Sequence, residues 1–192
     1  MYKRQEIKVT GEANHAGSTV MEDRKDALVA AARFVAQVPE IVAMYGNPFT
    51  VATVGTMKVV PNSVNVIPGE AGFHLEIRDQ DEKIMETIEQ KLRECLDEIC
   101  REMGEEYSFN RFSYHEPAPM TEWVRDAVEA SVRKLDIPYA KVPSGAFHDS
   151  LLMTTVFPTG MIFVPSVGGI SHSRHELSLI HISEPTRLRR IS

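Results

Sequence analysis

Three histidines in loops rich in small residues are the side chains best suited to chemistry in this 192-residue sequence. His15 follows a predicted strand, and His148 and His172 each lie in a glycine-containing loop. An imidazole titrates near neutral pH and ligates metals, so histidine serves in many sites. His15 is either an accessible site residue or a loop histidine that caps the following helix. His172 follows an apolar segment and is a candidate metal ligand, because functional groups gather at the carboxyl ends of strands in open α/β sheets.

The metal-ligand pattern around His172 is incomplete. One histidine cannot make a metal site, and the sequence contains neither an H-x-D pair nor an H-E-x-x-H helix motif to supply further ligands. The residues by themselves therefore predict one candidate ligand and no complete metal centre.

Arg78 and Asn65 are the candidates for binding an anion. Arg78 ends a predicted strand in which Phe73, Leu75 and Ile77 alternate with polar residues, so Arg78 lies opposite the apolar face. An arginine on a rigid strand can bind a carboxylate through two N–H groups of its planar guanidinium. The alternative is that Arg78 forms only a surface salt bridge. Asn65 lies in a loop between two strands, where asparagines commonly form turns.

The elements that must position these residues alternate between strand and helix signals over the first two-thirds of the chain. Apolar residues three and four apart predict the helices, and Pro39 is expected to bend or interrupt the first of them. The second helix is expected to end at Gly104. The resulting order, β-α-β-β-α-β, is the ferredoxin-like plan. The strands are predicted at residues 7–11, 49–60, 72–78 and 107–114, and the helices at 23–45 and 84–103.

Beyond a proline-rich hinge at residues 115–119 the pattern changes. A helix is predicted from Thr121, as its N-cap, to about Leu135, and a short helix at 149–156. The continuous apolar run 160–165 predicts a strand buried on both faces of a parallel sheet. The neighbouring strands of that sheet are absent from this sequence, so its apolar surface is expected to be exposed.

Composition excludes several classes of function. Hydrophobic residues make up 43% and charged residues 25%, which is typical of a globular protein. The net charge of −6 without a basic block argues against nucleic-acid binding, and the strands lack the aromatic pairs of an RNA-binding domain with the same element order. No uncharged apolar run reaches the length of a membrane span, and the start lacks a signal peptide. Cys95 and Cys100 have neither redox nor zinc spacing, which predicts reduced thiols in a cytoplasmic protein.

Five sequence blocks, in order, carry a resemblance to a known family. They include G-E-A-N-H-A-G-S-T around His15, P-N-S-V-N-V-I-P-G around Asn65 and G-G-I-S-H ending at His172. The sequence resembles the hydantoinase/carbamoylase branch of the M20 metallopeptidase-like amidohydrolases. That branch includes N-carbamoyl-L-amino-acid hydrolases, allantoate amidohydrolases and β-ureidopropionases. The five blocks are residues 11–28, 61–69, 73–79, 143–150 and 158–172.

The resemblance implies an α+β architecture: a ferredoxin-like βαββαβ lid and dimerisation domain, followed by the C-terminal part of an α/β zinc-peptidase-like catalytic domain. It assigns residues 1–118 to the lid and 119–176 to the catalytic part. Residues 177–192 do not match the family and are expected to be a non-native tail. The family's other metal ligands and its general base lie upstream of the lid, so the chain is expected to be a fragment that lacks the N-terminal catalytic half.

The resemblance also implies roles for individual residues. His172 would ligate one of two divalent ions, Zn or Mn. His15 would stabilise the oxyanion of the substrate in the active site of the partner subunit, and Asn65 and Arg78 would bind the substrate's carboxylate, with Arg78 making a two-pronged contact. The remaining candidates are Gly145 and Gly169, where the backbone would approach the ligand, and His148 and Asp149, which would support the site.

These roles imply a homodimeric, binuclear-metal amidohydrolase that cleaves the carbamoyl or amide C–N bond of a small anionic substrate. That substrate would be an N-carbamoyl amino acid or an allantoate-like ureido acid. Phe147 stands where the family usually has glycine and is expected to crowd the site. The chain alone is expected to be inactive, because it holds one metal ligand and no general base. The alternative is a stand-alone ferredoxin-like dimerisation or small-ligand-binding module without catalysis, in which His172 is an ordinary loop histidine.

Overall fold

A computed structural model of the chain describes residues 2–169. These residues form two compact units, one of residues 2–119 with Ala140–His148 and one of Met120–Tyr139 with residues 149–169. The strands of the first unit are β1 (Tyr2–Thr10), β2 (Asn14–His15), β3 (Val51–Val60), β4 (Val66–Ile67), β5 (Glu70–Arg78) and β6 (Glu106–His115), and its α-helices are α1 (Ala27–Tyr45) and α2 (Glu82–Met103). The α-helices of the second unit are α3 (Glu122–Lys134) and α4 (Asp149–Met153), and short 3-10 helices lie at Met21–Asp23 and Val167–Gly169.

The first unit is built on a four-stranded antiparallel sheet with the strand order β3-β5-β1-β6. β1 pairs with β5 on one side and with β6 on the other, and β5 also pairs with β3. β1 and β5 are therefore the central strands. With α1 between β1 and β3, and α2 between β5 and β6, the long elements follow the predicted β-α-β-β-α-β order. The α+β class and the ferredoxin-like plan are confirmed.

The hydrophobic core lies between the two helices and one face of the sheet. On β5, Phe73 and Ile77 are buried whereas His74 is exposed, as the alternation predicts. On β1, Ile7 is buried and Lys8 is exposed. The face of the sheet opposite the helices consequently carries Arg4, Lys8, His74 and Glu76, whereas the polar residues Lys3 and Gln5 of β1 are buried on the helix side. This polar face is the surface available to a ligand or partner.

Helix α1 begins directly after Asp26, whose Oδ1 accepts hydrogen bonds from the backbone N–H groups of Leu28 and Val29. Pro39 does not interrupt this helix, because α1 continues to Tyr45. The bend that was the other expectation at Pro39 stays a prediction. Pro39 is exposed, and the residues that α1 buries in the core are others. The ring therefore lies on the solvent side and does not disturb the packed face.

By length and apolar composition alone, α1 could cross a membrane. It nevertheless contains Arg33 and Glu40, and one of its faces is packed in the hydrophobic core. An apolar helix face buried against a sheet accounts for this composition without a bilayer. The buried residues of α1 are Ala27, Ala30, Ala31, Phe34 and Val38.

Helix α2 is capped at both ends, and the cap at Gly104 is the one that the sequence predicts. Asp81 Oδ1 accepts a hydrogen bond from the Lys83 N–H at 2.8 Å, and Gly104 ends the helix in the left-handed conformation with a φ of 68°. The buried face of α2 includes Met85 and Cys100, and the helix contacts both α1 and the sheet.

In the second unit, α3 lies where the sequence predicts it. Thr121 precedes the helix, but its side chain makes no cap hydrogen bond. Thr121 Oγ1 instead accepts a hydrogen bond from the Thr159 N–H at 3.0 Å, and the Thr121 N–H donates to the Thr159 carbonyl at 2.8 Å. Thr121 therefore ties the start of α3 to a later segment of the same unit.

The predicted buried strand at residues 160–165 was wrong. The structure has no strand there, and the side chains of Ile162 and Val164 are 71% and 53% exposed. A strand needs a neighbour to satisfy its backbone N–H and C=O groups, and the described part of this unit contains no strand that could pair with it. The accompanying expectation, that the apolar side chains of this segment are exposed, is confirmed.

Candidate functional site

Two short strands bring His15 and Asn65 together. β2 pairs antiparallel with β4, with His15 opposite Val66, and the Ala16 N–H donates to the Asn65 carbonyl at 2.9 Å. Both His15 and Asn65 are exposed. Two residues that are far apart in sequence therefore lie side by side on one pair of loops at the surface.

The hydrogen bond to the His15 ring determines which nitrogen can act as a donor. His15 Nδ1 accepts a hydrogen bond from the Gly17 N–H at 3.1 Å. A neutral imidazole carries one proton, so Nε2 is the protonated nitrogen. A Cβ atom at Gly17 would lie 3.2 Å from His15 Cε1, so glycine leaves room for the ring. The imidazole therefore closes a tight turn rather than capping a helix, and it offers an Nε2–H donor to a ligand.

The Asn65 side chain offers a second donor beside His15. Its Oδ1 accepts a hydrogen bond from Ser63 Oγ at 2.8 Å. Within the part of the chain that the structure describes, the amide nitrogen of Asn65 has no hydrogen-bond partner. Amide N–H groups are donors of the kind that a carboxylate or an oxyanion accepts.

The Arg78 guanidinium lies at the C-terminal end of β5, where two hydrogen bonds hold it. Its Nε donates to Glu76 Oε1 at 2.5 Å, and its Nη1 donates to the Gly145 carbonyl at 2.7 Å. The Arg78 Cζ atom also lies 5.7 Å from the centre of the Tyr2 ring. Arg78 is therefore on the predicted face and in contact with Gly145, a second predicted site residue, and it also forms a salt bridge.

Glu76 is shared between two arginines. Its Oε2 accepts a hydrogen bond from Arg4 Nε at 2.5 Å, in addition to the bond from Arg78. Burial acts to raise the pKa of Glu76, but the hydrogen bonds from Arg78 and Arg4 outweigh it and hold that pKa below its usual value. The cluster therefore holds two positive charges and one negative charge at neutral pH.

The His15–Asn65 pair and Arg78 lie at opposite ends of the sheet. Tyr2 is opposite Arg78 at one end, whereas the loops that carry His15 and Asn65 follow the other end of β1 and precede β5 at Glu70. β5 has 9 residues, and at roughly 3.3 Å per residue its two ends are about 26 Å apart. Within one chain, Asn65 and Arg78 therefore do not converge on one small carboxylate.

The other predicted site residues are placed as follows. A Cβ atom at Gly145 would meet nothing within 4 Å, so its surroundings in this chain do not require glycine. Gly169 has a φ of 67°, in the left-handed region that favours glycine. His148 is half-buried and belongs to the first unit, whereas Asp149 begins α4 in the second. His172 lies outside the described residues.

Sequence reasoning missed the surroundings of Arg78. Tyr2 and Arg4 share its face of the sheet, and the Phe147 ring lies 6.4 Å from the Tyr2 ring, centre to centre. Alternation along β1 places Tyr2 and Arg4 on one face. It does not reveal that β1 lies next to β5 and brings Arg4 opposite Glu76, which only the strand order decides.

Among residues 2–169, no group of three or more His, Cys, Asp or Glu side chains is arranged to hold a metal ion. The described residues therefore do not fit the binuclear centre that the resemblance implies. A surface cavity of ≈ 590 Å³ lies elsewhere, between the end of α1 and the start of β3, and its lining includes Val42, Asn47 and Pro48. None of the predicted site residues lines this cavity.

Comparison with known proteins identifies the fold family. The family described as "Peptidase dimerisation domain" (M20_dimer) matches residues 2–104, more than half of the chain. The chain belongs to the M20 family. It is 33% identical to the allantoate amidohydrolase of Escherichia coli (strain K12), over 91% of this chain and 42% of that protein. It is 34% identical to the N-carbamoyl-L-amino acid amidohydrolase of Geobacillus stearothermophilus, over 88% and 41%.

Solved structures give the same result for this M20 chain. It superposes on the crystal structure of an amidase of the hydantoinase/carbamoylase family from Burkholderia multivorans with a TM-score of 0.83 and 37% identity. That match covers 91% of this chain and 42% of the amidase. The assignment to the hydantoinase/carbamoylase branch of M20 is confirmed. The chain spans about two-fifths of the length of the relatives that it matches.

Proposed function

We propose that this M20 chain is a fragment of a binuclear-metal amidohydrolase, with the lid and dimerisation domain at residues 1–118 and the C-terminal part of the catalytic domain at residues 119–176. Its substrates would be N-carbamoyl amino acids or allantoate-like ureido acids, cleaved at the carbamoyl or amide C–N bond. The observation that carries the proposal is the pair of exposed donors on His15 and Asn65, in a chain whose relatives include amidohydrolases of both names. Such substrates have a carbonyl oxygen that becomes negative in the reaction and a carboxylate that needs donors.

His15 is proposed to act on the developing oxyanion. Its Nε2–H donor would face the carbonyl oxygen of the ureido or amide group, where a well-aimed donor supplies about 3 kcal/mol of transition-state stabilisation. Within residues 2–169, no metal-ligand cluster lies in this chain for His15 to serve. We therefore propose that His15 completes the active site of a partner subunit in a homodimer.

Asn65 and Arg78 are too far apart in one chain to bind the same substrate carboxylate. Because the two residues flank a strand about 26 Å long, one ligand cannot contact both in one chain. In the proposed homodimer, Asn65 acts with His15 in one active site and Arg78 acts in the other. Each substrate then contacts both protomers, which makes the dimer necessary for activity.

The metal ions are proposed to be Zn or Mn and to be held mainly by residues outside the described part of the chain, with His172 as one ligand. Two bound divalent ions supply hydroxide near neutral pH and polarise the carbonyl. The supporting positions are Gly145, Gly169, His148 and Asp149. Cys95 and Cys100 are both free thiols, which supports a reducing, cytoplasmic location.

A stand-alone dimerisation or small-ligand-binding module is the second candidate. It is favoured by the matched domain, which is described as a dimerisation domain, and by the lack of a metal-ligand cluster within residues 2–169. A coding region upstream of this chain that supplied the missing metal ligands would favour the amidohydrolase. An independent promoter and stop codon before Met1 would favour the module.

A hydrolysis assay with N-carbamoyl amino acids and added zinc or manganese tests the enzyme proposal. The isolated chain is expected to show no turnover, because its described residues supply no metal centre. Turnover that is abolished by His172→Ala but kept by the control His74→Ala would contradict this expectation. In a longer parent protein, His15→Gln is expected to lower kcat about 10²-fold, and an unchanged kcat would contradict the role of His15.

A further inference from the structure

We propose that Arg4 keeps the positive charge of Arg78 available to an anionic ligand by neutralising Glu76, the carboxylate that positions Arg78. The inference rests on the proposed function in one respect, namely that Arg78 binds the substrate's carboxylate. Arg4 and Glu76 then act as positioning residues, since each works through Arg78.

The geometry of the cluster supports this division of roles. Arg4 on β1 lies directly opposite Glu76 on β5, and these are the two central strands of the sheet. Glu76 receives Arg4 Nε on one carboxylate oxygen and Arg78 Nε on the other, each at 2.5 Å. The side chain of Glu76 is only 23% exposed, which strengthens both contacts. The Tyr2 ring lies 4.3 Å from the Arg4 Cζ atom and fixes that guanidinium from a second side.

The charge balance explains why Arg4 is needed. A single carboxylate paired with Arg78 would leave a net charge of zero, and the carboxylate would repel an approaching anion. Arg4 adds one positive charge, so the cluster of Arg4, Glu76 and Arg78 keeps a net charge of +1. Glu76 can then hold Arg78 in place without cancelling its attraction for an anion.

The hydrogen bonds of Arg78 also limit the kind of contact that it offers. Nε donates to Glu76 and one N–H of Nη1 donates to the Gly145 carbonyl, so one N–H of Nη1 and both of Nη2 are left for a ligand. A two-pronged grip on a carboxylate requires two N–H groups on one side of the guanidinium. Because Glu76 occupies Nε, the expected two-pronged contact has to use the Nη1–Nη2 edge of the guanidinium.

The test uses the full 192-residue chain and two probes, N-carbamoylglycine and its neutral amide. Binding is measured from chemical-shift changes in NMR titrations, together with the titration midpoint of the Glu76 carboxyl carbon. Arg4→Gln is expected to weaken binding of the charged probe about threefold to tenfold, leave the neutral amide unaffected and raise the Glu76 midpoint. Arg4→Lys is expected to restore most of the affinity.

The matched control is Lys8→Gln. Lys8 lies on the same strand as Arg4 and pairs with Glu70 of β5 at 2.6 Å, so its loss changes the net charge equally without touching Arg78. The inference is overturned if Arg4→Gln binds the charged probe as the wild type does, or if Lys8→Gln loses as much affinity. A wild-type chain that does not prefer the charged probe to the amide overturns it as well.

Arg78→Gln separates the inference from the proposed function. If Arg78→Gln abolishes the preference for the charged probe while Arg4→Gln has no effect, the inference alone fails. If Arg78→Gln binds the charged probe as tightly as the wild type, the proposed role of Arg78 fails and the inference fails with it. Unchanged backbone amide spectra establish that each variant remains folded.

Discussion

At the residue scale, two carboxylates of the first unit have contrasting surroundings. Glu76 is paired with two arginines, whereas Glu105 is 8% exposed and, among the described residues, neither of its carboxylate oxygens has a hydrogen-bond partner. Burial raises the pKa of Glu105 to about 7, Asp26 adds to the effect, and Arg33 opposes it. One carboxylate therefore stays charged at neutral pH, and the other titrates there.

Glu105→Gln is expected to stabilise the fold at pH 8 and to have little effect at pH 4. The folded pKa lies above the unfolded value of about 4.3, so the free energy of unfolding falls as pH rises from that value to about 7. Glutamine avoids the buried charge, and we expect a gain of about 2 kcal/mol at pH 8. Urea unfolding at both pH values measures it, with the exposed Glu106→Gln as control. An equal effect at both pH values would contradict this account.

At the scale of the elements, particular residues define where the helices of the first unit begin and end. Asp26 and Asp81 satisfy free backbone N–H groups at the starts of α1 and α2. The left-handed conformation of Gly104, with a φ of 68°, ends α2. Glycine adopts this conformation without the cost that a Cβ atom would bring. β6 begins at Glu106, two residues after Gly104, and pairs antiparallel with β1.

Gly104→Ala is expected to destabilise the first unit by about 1 kcal/mol, because alanine is strained in the left-handed conformation. Gly55→Ala is the control, since a Cβ atom there would meet nothing within 4 Å. We expect that control to change the free energy of unfolding by less than about 0.5 kcal/mol. Thermal unfolding followed by circular dichroism measures both variants. Equal losses of stability would show that the φ angle of Gly104 is not the cause.

At the scale of the whole molecule, the edge strands of the four-stranded sheet in the described residues are β3 and β6. On β3, Val51, Met57 and Val60 are 51%, 43% and 40% exposed. Long edge strands with exposed apolar residues are templates for pairing with another chain. The matched dimerisation domain, residues 2–104, includes β3 and ends before β6. These observations favour β3 as the edge at which two copies of the chain meet.

Sedimentation is therefore expected to show a dimer at tens of micromolar, roughly the range of a weak interface. The double substitution Val51→Lys and Met57→Lys is expected to shift the chain towards monomer, because charge on an edge strand opposes pairing. Phe112→Lys on β6, where Phe112 is 56% exposed, is the control and is expected to leave the dimer intact. A wild-type chain that sediments only as monomer would contradict the proposed dimer.

Predictions of strands from the local sequence pattern succeeded where the spacing of apolar residues reflects the geometry of the element directly. The alternation of Phe73 and Ile77 with His74 placed β5 and its faces correctly, because a strand has a period of two. The prediction for residues 160–165 failed for the opposite reason. An apolar run shows that a segment favours burial, but a strand forms only where another strand offers hydrogen bonds.

The sequence by itself determined the helices, the long strands, their ferredoxin-like order and the family. The elements depend on residues that are close together in the chain, and the family is recognised from short sequence motifs. The tertiary structure alone decided that His15 lies beside Asn65 and that Arg4 lies opposite Glu76. It also decided that Arg78 stands at the far end of the sheet from Asn65. Strand order and register set these distances, and they arise from packing between segments that local periodicity does not relate.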